Sequence, residues 1–327
     1  MNSVTRLFLQ TSIALFAALS LQVGHAQTTW PSGPVKIIVP FTAGGASDLL
    51  TRYVAERLST KFGQNFVVEN RTGAGGNIGM EAVRNALPDG NMISSATIGT
   101  LSINQFLFSK MPYDPAKDFE YSSMIWENCN VLVVSANHPS KTAQEFLAWA
   151  KAQPKGVTFG SAGVGTTPHL AGELFGVRNN LKVVHVPFRG AAQSMPALIA
   201  GDTDFAIDNI ASYMPHIKAG KVKALAVTAP DRWPTLPEVP TMAQVGVKDF
   251  IITSWGAFVL PKGTPPAIIT KLSDAIKEIA ADPAMQKRFL DSGARTVYTA
   301  PQETVAFAER ERVKWKAMVE ISGAKLD

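Results

Sequence analysis

The feature that most constrains the fold is a regular alternation of short β-branched runs with amphipathic helical patterns. After the first run, VKIIV at 35–39, apolar residues recur every four positions at Leu50, Val54 and Leu58, which predicts a helix with one face in a core. Gly63 stands where helices commonly end. The order β-α-β-α-β-α predicts a parallel sheet covered by helices on both faces, and therefore an α/β fold.

Two long extended segments interrupt this alternation and predict a division into two lobes. They cover residues 121–135 and 250–261, and the chain between them contains a complete set of alternating strands and helices. We interpret them as crossover strands between lobes. The second lobe, residues 125–247, is then inserted into the first, which is formed by residues 27–124 and 248–327.

Residues 1–26 are predicted to form a cleaved secretory signal peptide. Arg6 is followed by no charged residue until Lys36, and polar side chains make the apolar run between them short for a membrane span. Gly24-His25-Ala26 has the small-x-small pattern that signal peptidase cleaves. A retained membrane anchor is the alternative. Removing 26 of the 327 residues leaves 301, a natural length for two lobes.

Cysteine and charge content exclude several classes of protein. Cys129 is the only cysteine, which excludes an intramolecular disulfide, a CxxC pair and a cysteine zinc cluster. An exported chain without disulfides fits a bacterial periplasm. The formal net charge is +5, but the basic residues are scattered, so no nucleic-acid or lipid surface is expected. A mildly basic body suits an anionic ligand.

The turn between the first strand and the first helix, PFTAGGASD at 40–48, is a candidate anion site. In open parallel sheets, ligands bind beyond the carboxyl ends of strands, where helix N-termini present unpaired N–H groups. Glycines let the backbone approach a ligand. Asp48 fits the N-cap of a helix that starts at Leu49. In that position it fixes the loop, or it holds a bridging water or a donor group of the ligand. An ordinary strand-to-helix turn is the alternative. The candidate binding residues are Phe41, Thr42, Ala43, Gly44, Gly45, Ser47 and Asp48.

A second turn of similar composition occurs in GSAGVGTTPHLAGELF, residues 160–175. Thr167 followed by Pro168 predicts an N-cap with proline at the first helical position. Thr166 stands where a P-loop requires lysine, so nucleotide phosphate binding is not expected. Two such turns facing each other would form a pincer around one anion. For His169, which could donate to an anion, a surface position in the first helical turn is the alternative. The candidate binding residues are Ser161, Gly163, Gly165, Thr166, Thr167 and His169.

Other candidates each carry a structural alternative. Asp208 ends the strand-like FAID and could accept from an amine, a hydroxyl or a protonated acid, or instead cap the next helix. Arg71 and Arg189 each follow a strand and could pair with a carboxylate or remain solvated. Trp255 and Phe258 lie on the second crossover, where they line the cleft or pack in the core.

Motifs for catalysis, metals or cofactors are missing from the sequence. There is no GxSxG elbow and no HExxH, and His138, His185 and His216 lack metal-ligand spacing. The glycines of GAGGNIGM, residues 73–80, miss the dinucleotide fingerprint by one position, so we interpret this segment as a third glycine-rich helix entry. No enzymatic activity, cofactor or metal is expected.

Several motifs, in the same order along the chain, resemble those of the Bug receptors, also called the TctC family. They are VKIIVPFTAGGASDLLTR, VENRTGAGGNIG, PDGNMI, MPYDPAKDF, GSAGVGTTPHLAGELF, VPFRG, IKAGKVKALAVTAPDRWPTLPEVPTMAQVGV and SWGAFVLPKGTP. The resemblance spans essentially the whole mature chain. It implies a Venus-flytrap fold of the type II-like class, in which the loops at 41–48 and 161–167 hold a ligand carboxylate, partly through ordered waters.

The resemblance also implies a function. Characterised Bug receptors bind dicarboxylates, tricarboxylates, acidic amino acids, nicotinate-like acids or aromatic acids. We therefore expect a monomeric periplasmic binding protein that closes on a small organic acid and delivers it to a tripartite tricarboxylate-type membrane transporter. A periplasmic receptor that serves a signalling system, and an exported α/β enzyme, are the alternatives.

Overall fold

The computed structural model describes residues 30–324. The predicted signal peptide, residues 1–26, lies outside the described residues. Within the described range, no helix is long and apolar enough to cross a membrane.

The first part of the chain forms three parallel strands with helices between them. Strand β1 pairs with β2 on one side and with β3 on the other. The first helix ends at Gly63, whose φ of 64° confirms the predicted left-handed end. After β3 the predicted helix is replaced by a π-helical turn (Gly99–Ile103) and a 3-10 turn (Asn104–Phe106). The regular elements are β1 (Val35–Val39), α1 (Ala46–Phe62), β2 (Phe66–Asn70), α2 (Asn77–Arg84) and β3 (Met92–Thr97).

Two long strands, β4 (Phe119–Ser135) and β9 (Thr253–Pro261), occupy the predicted crossover segments. They pair antiparallel with each other from Phe119 opposite Pro261 to Cys129 opposite Thr253, and β9 also pairs antiparallel with β3. The expected parallel pairing is therefore correct for β1 to β3 and for one pair of strands in the middle part of the chain, but not for the strands that pair with the crossovers. The chain leaves the first part along one crossover and returns along the other, so the two must run in opposite directions.

The middle part of the chain repeats the alternation, as predicted. Strands β5 and β6 form a parallel pair, while β7 and β8 pair antiparallel with the second half of β4. A bridge between Phe159 and Phe205 ties β5 to the residues just before β7. The elements are α3 (Ala143–Lys151), β5 (Val157–Ser161), α4 (Thr167–Asn179), β6 (Val183–Pro187), α5 (Ala191–Ala200), β7 (Ala206–Asn209), α6 (Ile210–Lys218) and β8 (Val222–Val227).

The C-terminal part returns to the first part of the chain as three helices. They are α7 (Pro266–Ala281), α8 (Pro283–Asp291) and α9 (Pro301–Ser322). Leu272 and Ile276 of α7 share one core cluster with Leu50 and Val54 of α1. Burial of these apolar faces, rather than helix propensity, holds the C-terminal helices on the sheet.

A buried carboxylate joins α9 to the second crossover. Glu311 accepts hydrogen bonds from the indole N–H of Trp315 at 3.0 Å and from that of Trp255 at 3.3 Å. Trp255 and Phe258 belong to the hydrophobic core clusters and neither lines the cleft.

Replacement of Glu311 tests this link. Glu311→Ala leaves two buried indole N–H groups without an acceptor, and each such group costs about 1–3 kcal/mol. We expect the free energy of unfolding in urea to fall by about 2–4 kcal/mol, and Glu311→Gln, which keeps an acceptor oxygen, to lose less than about half of that. The exposed Glu309→Ala is the control, and equal losses in Glu311→Ala and Glu309→Ala would contradict the link.

Candidate functional site

A crevice between the first and middle parts of the chain lies beyond the carboxyl ends of β1, β3, β5, β6 and β7. It contains about 500 Å³ of space free of atoms, part of it open to solvent. The two crossovers contribute Trp126 and Ser254 to its wall. The other lining residues are Phe41, Thr42, Gly45, Ala46, Ser47, Thr97, Ile98, Gly99, Ala162, Thr166, Thr167, Pro168, Gly190, Ala191, Asp208, Asn209 and Ser212.

Four helices begin at this crevice. The start of α1 contributes residues 45–47, α4 contributes 166–168, α5 contributes 190–191 and α6 contributes 208–212. The first amides of a helix have no partner inside the helix, and its N-terminus carries a partial positive charge. None of the lining residues is a lysine, arginine or histidine. An anion bound here is therefore stabilised by main-chain dipoles and hydroxyl groups rather than by a formal positive charge.

The first candidate turn is held by Asp48, but not in the predicted way. Gly45, not Asp48, is the N-cap of α1, because the helix begins three residues earlier than the sequence suggested. The Asp48 carboxylate accepts from the Gly44 amide at 2.9 Å, from Asn70 Nδ2 at 2.9 Å and from Arg52 Nε at 3.0 Å. Burial raises the pKa of Asp48, but these three donors outweigh it and hold the pKa below the usual range. Asp48 fixes the loop and does not line the crevice.

The second candidate turn differs by one residue from the prediction. Thr166, not Thr167, is the N-cap of α4: its hydroxyl oxygen accepts from the His169 amide at 3.5 Å and donates to the Gly163 carbonyl at 2.6 Å. Pro168 is therefore the second helical residue. Thr167 Oγ1 lies 3.5 Å from Asn130 Oδ1. Both threonines line the crevice, so the correction changes their local roles but not their placement.

The structure brings together part of the predicted site. The predicted residues that line the crevice are Phe41, Thr42, Gly45, Ser47, Thr166, Thr167 and Asp208. The remaining candidates lie behind or beside its wall; they are Ala43, Gly44, Asp48, Ser161, Gly163, Gly165 and His169.

His169 supports the second turn from the side away from the crevice. Its Nδ1 accepts from the Gly165 amide at 3.4 Å, and its ring stacks on that of His185 with 4.3 Å between centroids. His185 Nε2 lies 2.6 Å from Ser161 Oγ. Burial lowers the pKa of His169 to about 4 and that of His185 to about 3, so both rings are neutral at pH 7.

The same histidines form the candidate metal cluster of residues 30–324. Ligand atoms of His169, Glu173 and His185 lie within 4.8 Å of one another. The Gly165 hydrogen bond requires the lone pair of His169 Nδ1, which places the proton of the neutral ring on Nε2, 4.0 Å from the Glu173 carboxylate. That nitrogen then has no lone pair for an ion, and the cluster is accounted for as support of the turn.

Four buried polar atoms on the crevice wall have no hydrogen-bond partner among the described residues. They are Thr42 Oγ1, Ser47 Oγ, Trp126 Nε1 and Asp208 Oδ2. A buried polar group without a partner costs about 1–3 kcal/mol, so these atoms mark where a polar ligand would be stabilised. Three of the four can donate, which again favours an acceptor-rich ligand such as a carboxylate.

Asp208 is the one ionisable side chain among the lining residues. It lies at 1% exposure in β7, and its Oδ1 accepts from the Asn209 amide at 2.6 Å. The N-cap of α6 is Asn209, so the alternative of a capping role for Asp208 is wrong. Burial raises the pKa of Asp208 to about 7. The carboxyl group can therefore donate to a ligand when protonated and accept from one when ionised.

The two sides of the crevice touch at two places, each between a main-chain group and a side chain. The Ala46 amide at the start of α1 donates to Ser212 Oγ of α6 at 2.9 Å. A Cβ atom on Gly190 would lie 1.8 Å from Thr42 Oγ1, so this contact requires glycine. The two sides are therefore in direct contact in this structure.

Sequence reasoning missed several lining residues. Thr97 ends β3, Ile98 and Gly99 follow it, and Gly190 and Ala191 follow β6, so the rule that ligands bind beyond strand ends also covers them. Trp126 and Ser254 carry no such signal. They lie inside long crossover strands, and only the pairing of those strands determines which side chains face the crevice.

The sequence is similar to known proteins along nearly its whole length. The family model described as "Tripartite tricarboxylate transporter family receptor" matches residues 50–324. The sequence is 33% identical over 325 residues to Protein BugT of Bordetella pertussis, in an alignment that covers 99% of each chain.

Two solved structures are similar over nearly their whole length. Rpa4515 of R. palustris, solved with adipate, has a TM-score of 0.89 and 33% identity, covering 91% of this chain and 100% of the other. MatC from Rhodopseudomonas palustris, solved with bound malate, has a TM-score of 0.84 and 29% identity, covering 89% of this chain and 100% of the other. These likenesses confirm the expected α/β, two-lobed binding-protein fold.

The pKa of Asp208 predicts a pH dependence of stability. The folded-state value of about 7 lies above the ordinary 3.8, so the folded protein binds this proton more tightly than the unfolded chain does. The resulting stability is fully present below pH 3.8 and is lost as the pH rises through about 7. Its full size is on the order of 4 kcal/mol.

Asp208→Asn removes this titration. We expect the loss of unfolding free energy between pH 4.5 and 7.5, measured in urea, to be smaller in the variant by a few kcal/mol (roughly 1.4 per pH unit). Asp231→Asn, at an exposed position, is the control. Parallel pH profiles for Asp208→Asn and the unmodified protein would contradict a raised pKa.

Proposed function

Because the chain belongs to the tripartite tricarboxylate transporter receptor family, we propose that it captures one small organic carboxylate in the crevice and delivers it to the membrane subunits of such a transporter. The observation that carries the proposal is the convergence of four helix N-termini on a crevice whose lining residues include no cationic side chain. The adipate and malate seen in the two similar structures support a carboxylate ligand. A periplasmic location follows from the family.

The carboxylate group binds to the first amides of α1 and α4. Thr42 and Ser47 add hydroxyl donors from one side, and Thr166 and Thr167 add them from the other. The body of the ligand contacts apolar side chains of the wall, which include Phe41. Trp126 Nε1 and Asp208 Oδ2 remain available for a second polar group of the ligand.

Closure and release use the two lobes. We assign residues 27–124 and 248–327 to one lobe and residues 125–247 to the other, with the crossovers as the hinge. In the closed form the Ala46–Ser212 hydrogen bond and the Gly190–Thr42 contact join the lobes and enclose the ligand. The mature protein acts as a monomer in the periplasm after removal of residues 1–26.

A thermal-shift screen with a library of mono-, di- and tricarboxylates tests the proposal. We expect at least one acid to stabilise the protein by about 2.7 kcal/mol at a hundredfold excess over its dissociation constant. The same acid should change the intrinsic tryptophan fluorescence, since Trp126 lines the crevice. A library that produces neither change would contradict the proposal.

Gly190→Ala tests closure. The φ of Gly190 is 166°, an extended conformation open to any residue, so the only obstacle is the Cβ atom 1.8 Å from Thr42 Oγ1. We expect the affinity for the acid found in the screen to fall about tenfold or more, with thermal stability of the free protein nearly unchanged. Gly33→Ala, where a Cβ atom meets nothing within 4 Å, is the matched control. Equal affinity in the two variants would mean that the lobes do not close on the ligand through this contact.

A further inference from the structure

A second cavity lies beside the crevice, at the seam between the two lobes. This entrance cavity contains about 730 Å³ of space free of atoms, part of it open to solvent. Phe41 and Ala162 line both cavities, so the two spaces adjoin at these side chains. The wall also contains Phe108, Val164 and Phe188, which are apolar.

Arg189 is the one cationic residue among the lining residues of the entrance cavity, and no acidic residue lines it. Its side chain is exposed and forms no ion pair with any residue of the range 30–324. The position of its backbone is fixed, because its amide donates to Gln193 Oε1 at 3.3 Å. The next residue, Gly190, already belongs to the crevice wall.

A helix N-terminus lies on the opposite side of the entrance cavity. Residues 73–76, the third glycine-rich segment, line the cavity, and Gly76 is the N-cap of α2. This segment lies against the other lobe, since a Cβ atom on Gly75 would be 2.6 Å from the Val164 carbonyl oxygen. The cavity therefore combines a formal positive charge with a second, weaker source of positive potential.

A second negative charge on the ligand is less stable in the crevice than in the entrance cavity. In the crevice, the first carboxylate of the ligand already occupies the unpaired amides. The buried Asp208 carboxyl group lines the same space. A second ionised carboxylate there would be desolvated beside Asp208 without a cation. In the entrance cavity it meets Arg189 and keeps contact with solvent.

We propose that the entrance cavity is a second anion subsite, in which Arg189 binds the far carboxylate of a dicarboxylate long enough to pass between Phe41 and Ala162. The inference rests on the proposed function, because the first carboxylate occupies the crevice. It makes Arg189 a specificity residue that distinguishes long dicarboxylates from monocarboxylates of equal length. The ion pair is partly exposed, so its effect is modest in size.

Isothermal titration with adipate, monomethyl adipate and hexanoate tests the subsite. In Arg189→Gln we expect the dissociation constant of adipate to rise about fivefold, while those of the ester and of hexanoate change less than about twofold. Arg189→Lys keeps the charge and should recover most of the adipate affinity. Arg178→Gln, at an exposed position of α4, makes the same change of net charge and should leave all three constants unchanged.

The other outcomes count against the inference. Equal weakening of all three ligands in Arg189→Gln would indicate a structural role for Arg189, and no weakening of adipate would show that its far carboxylate lies elsewhere. Binding of shorter acids without binding of adipate or hexanoate would show that the entrance cavity is not part of the site. A failure of every acid in the library to bind the unmodified protein would instead contradict the proposed function.

Discussion

An anion enclosed without a lysine or arginine must be stabilised by oriented main-chain groups. The fold positions these groups around the crevice. Amides act over short distances, so the helix starts must converge on one point. Alternating strands and helices achieve this, because every helix that follows a parallel strand begins at the same edge of its sheet. At these helix starts the sequence places glycine, threonine and serine. Their amides and hydroxyl groups donate hydrogen bonds, and their side chains are small.

The two crossover strands determine how these points face each other. Strand β4 pairs with β9 along its first half and with β7 and β8 along its second half, and the two crossovers form the floor of the crevice through Trp126 and Ser254. Trp126 belongs to this floor, and its indole packs directly over Gly256, where a Cβ atom would lie 2.4 Å from the ring. A side chain at position 256 would therefore push the indole into the space assigned to the ligand.

The sequence predicted those features that depend on local periodicity and composition. The alternation, the end of α1 at Gly63, the crossover segments and the two facing turns needed no knowledge of distant contacts. The remaining features depend on tertiary pairing. By sequence, either of two adjacent threonines fits the N-cap of α4. Thr166 is the cap because its hydroxyl group donates to the Gly163 carbonyl. Irregular register between Met124 and Trp126, rather than any local pattern, determines that Trp126 lines the crevice while Trp255 is in the core.

The most direct test of the central claim is a crystal structure with a bound organic acid. The account predicts one carboxylate in the crevice, accepting hydrogen bonds from the amides of Gly45, Ser47 and Thr167, with no lysine or arginine in contact with that carboxylate. A bound acid with no carboxylate in the crevice, or one whose crevice carboxylate contacts a cationic side chain, would contradict the claim.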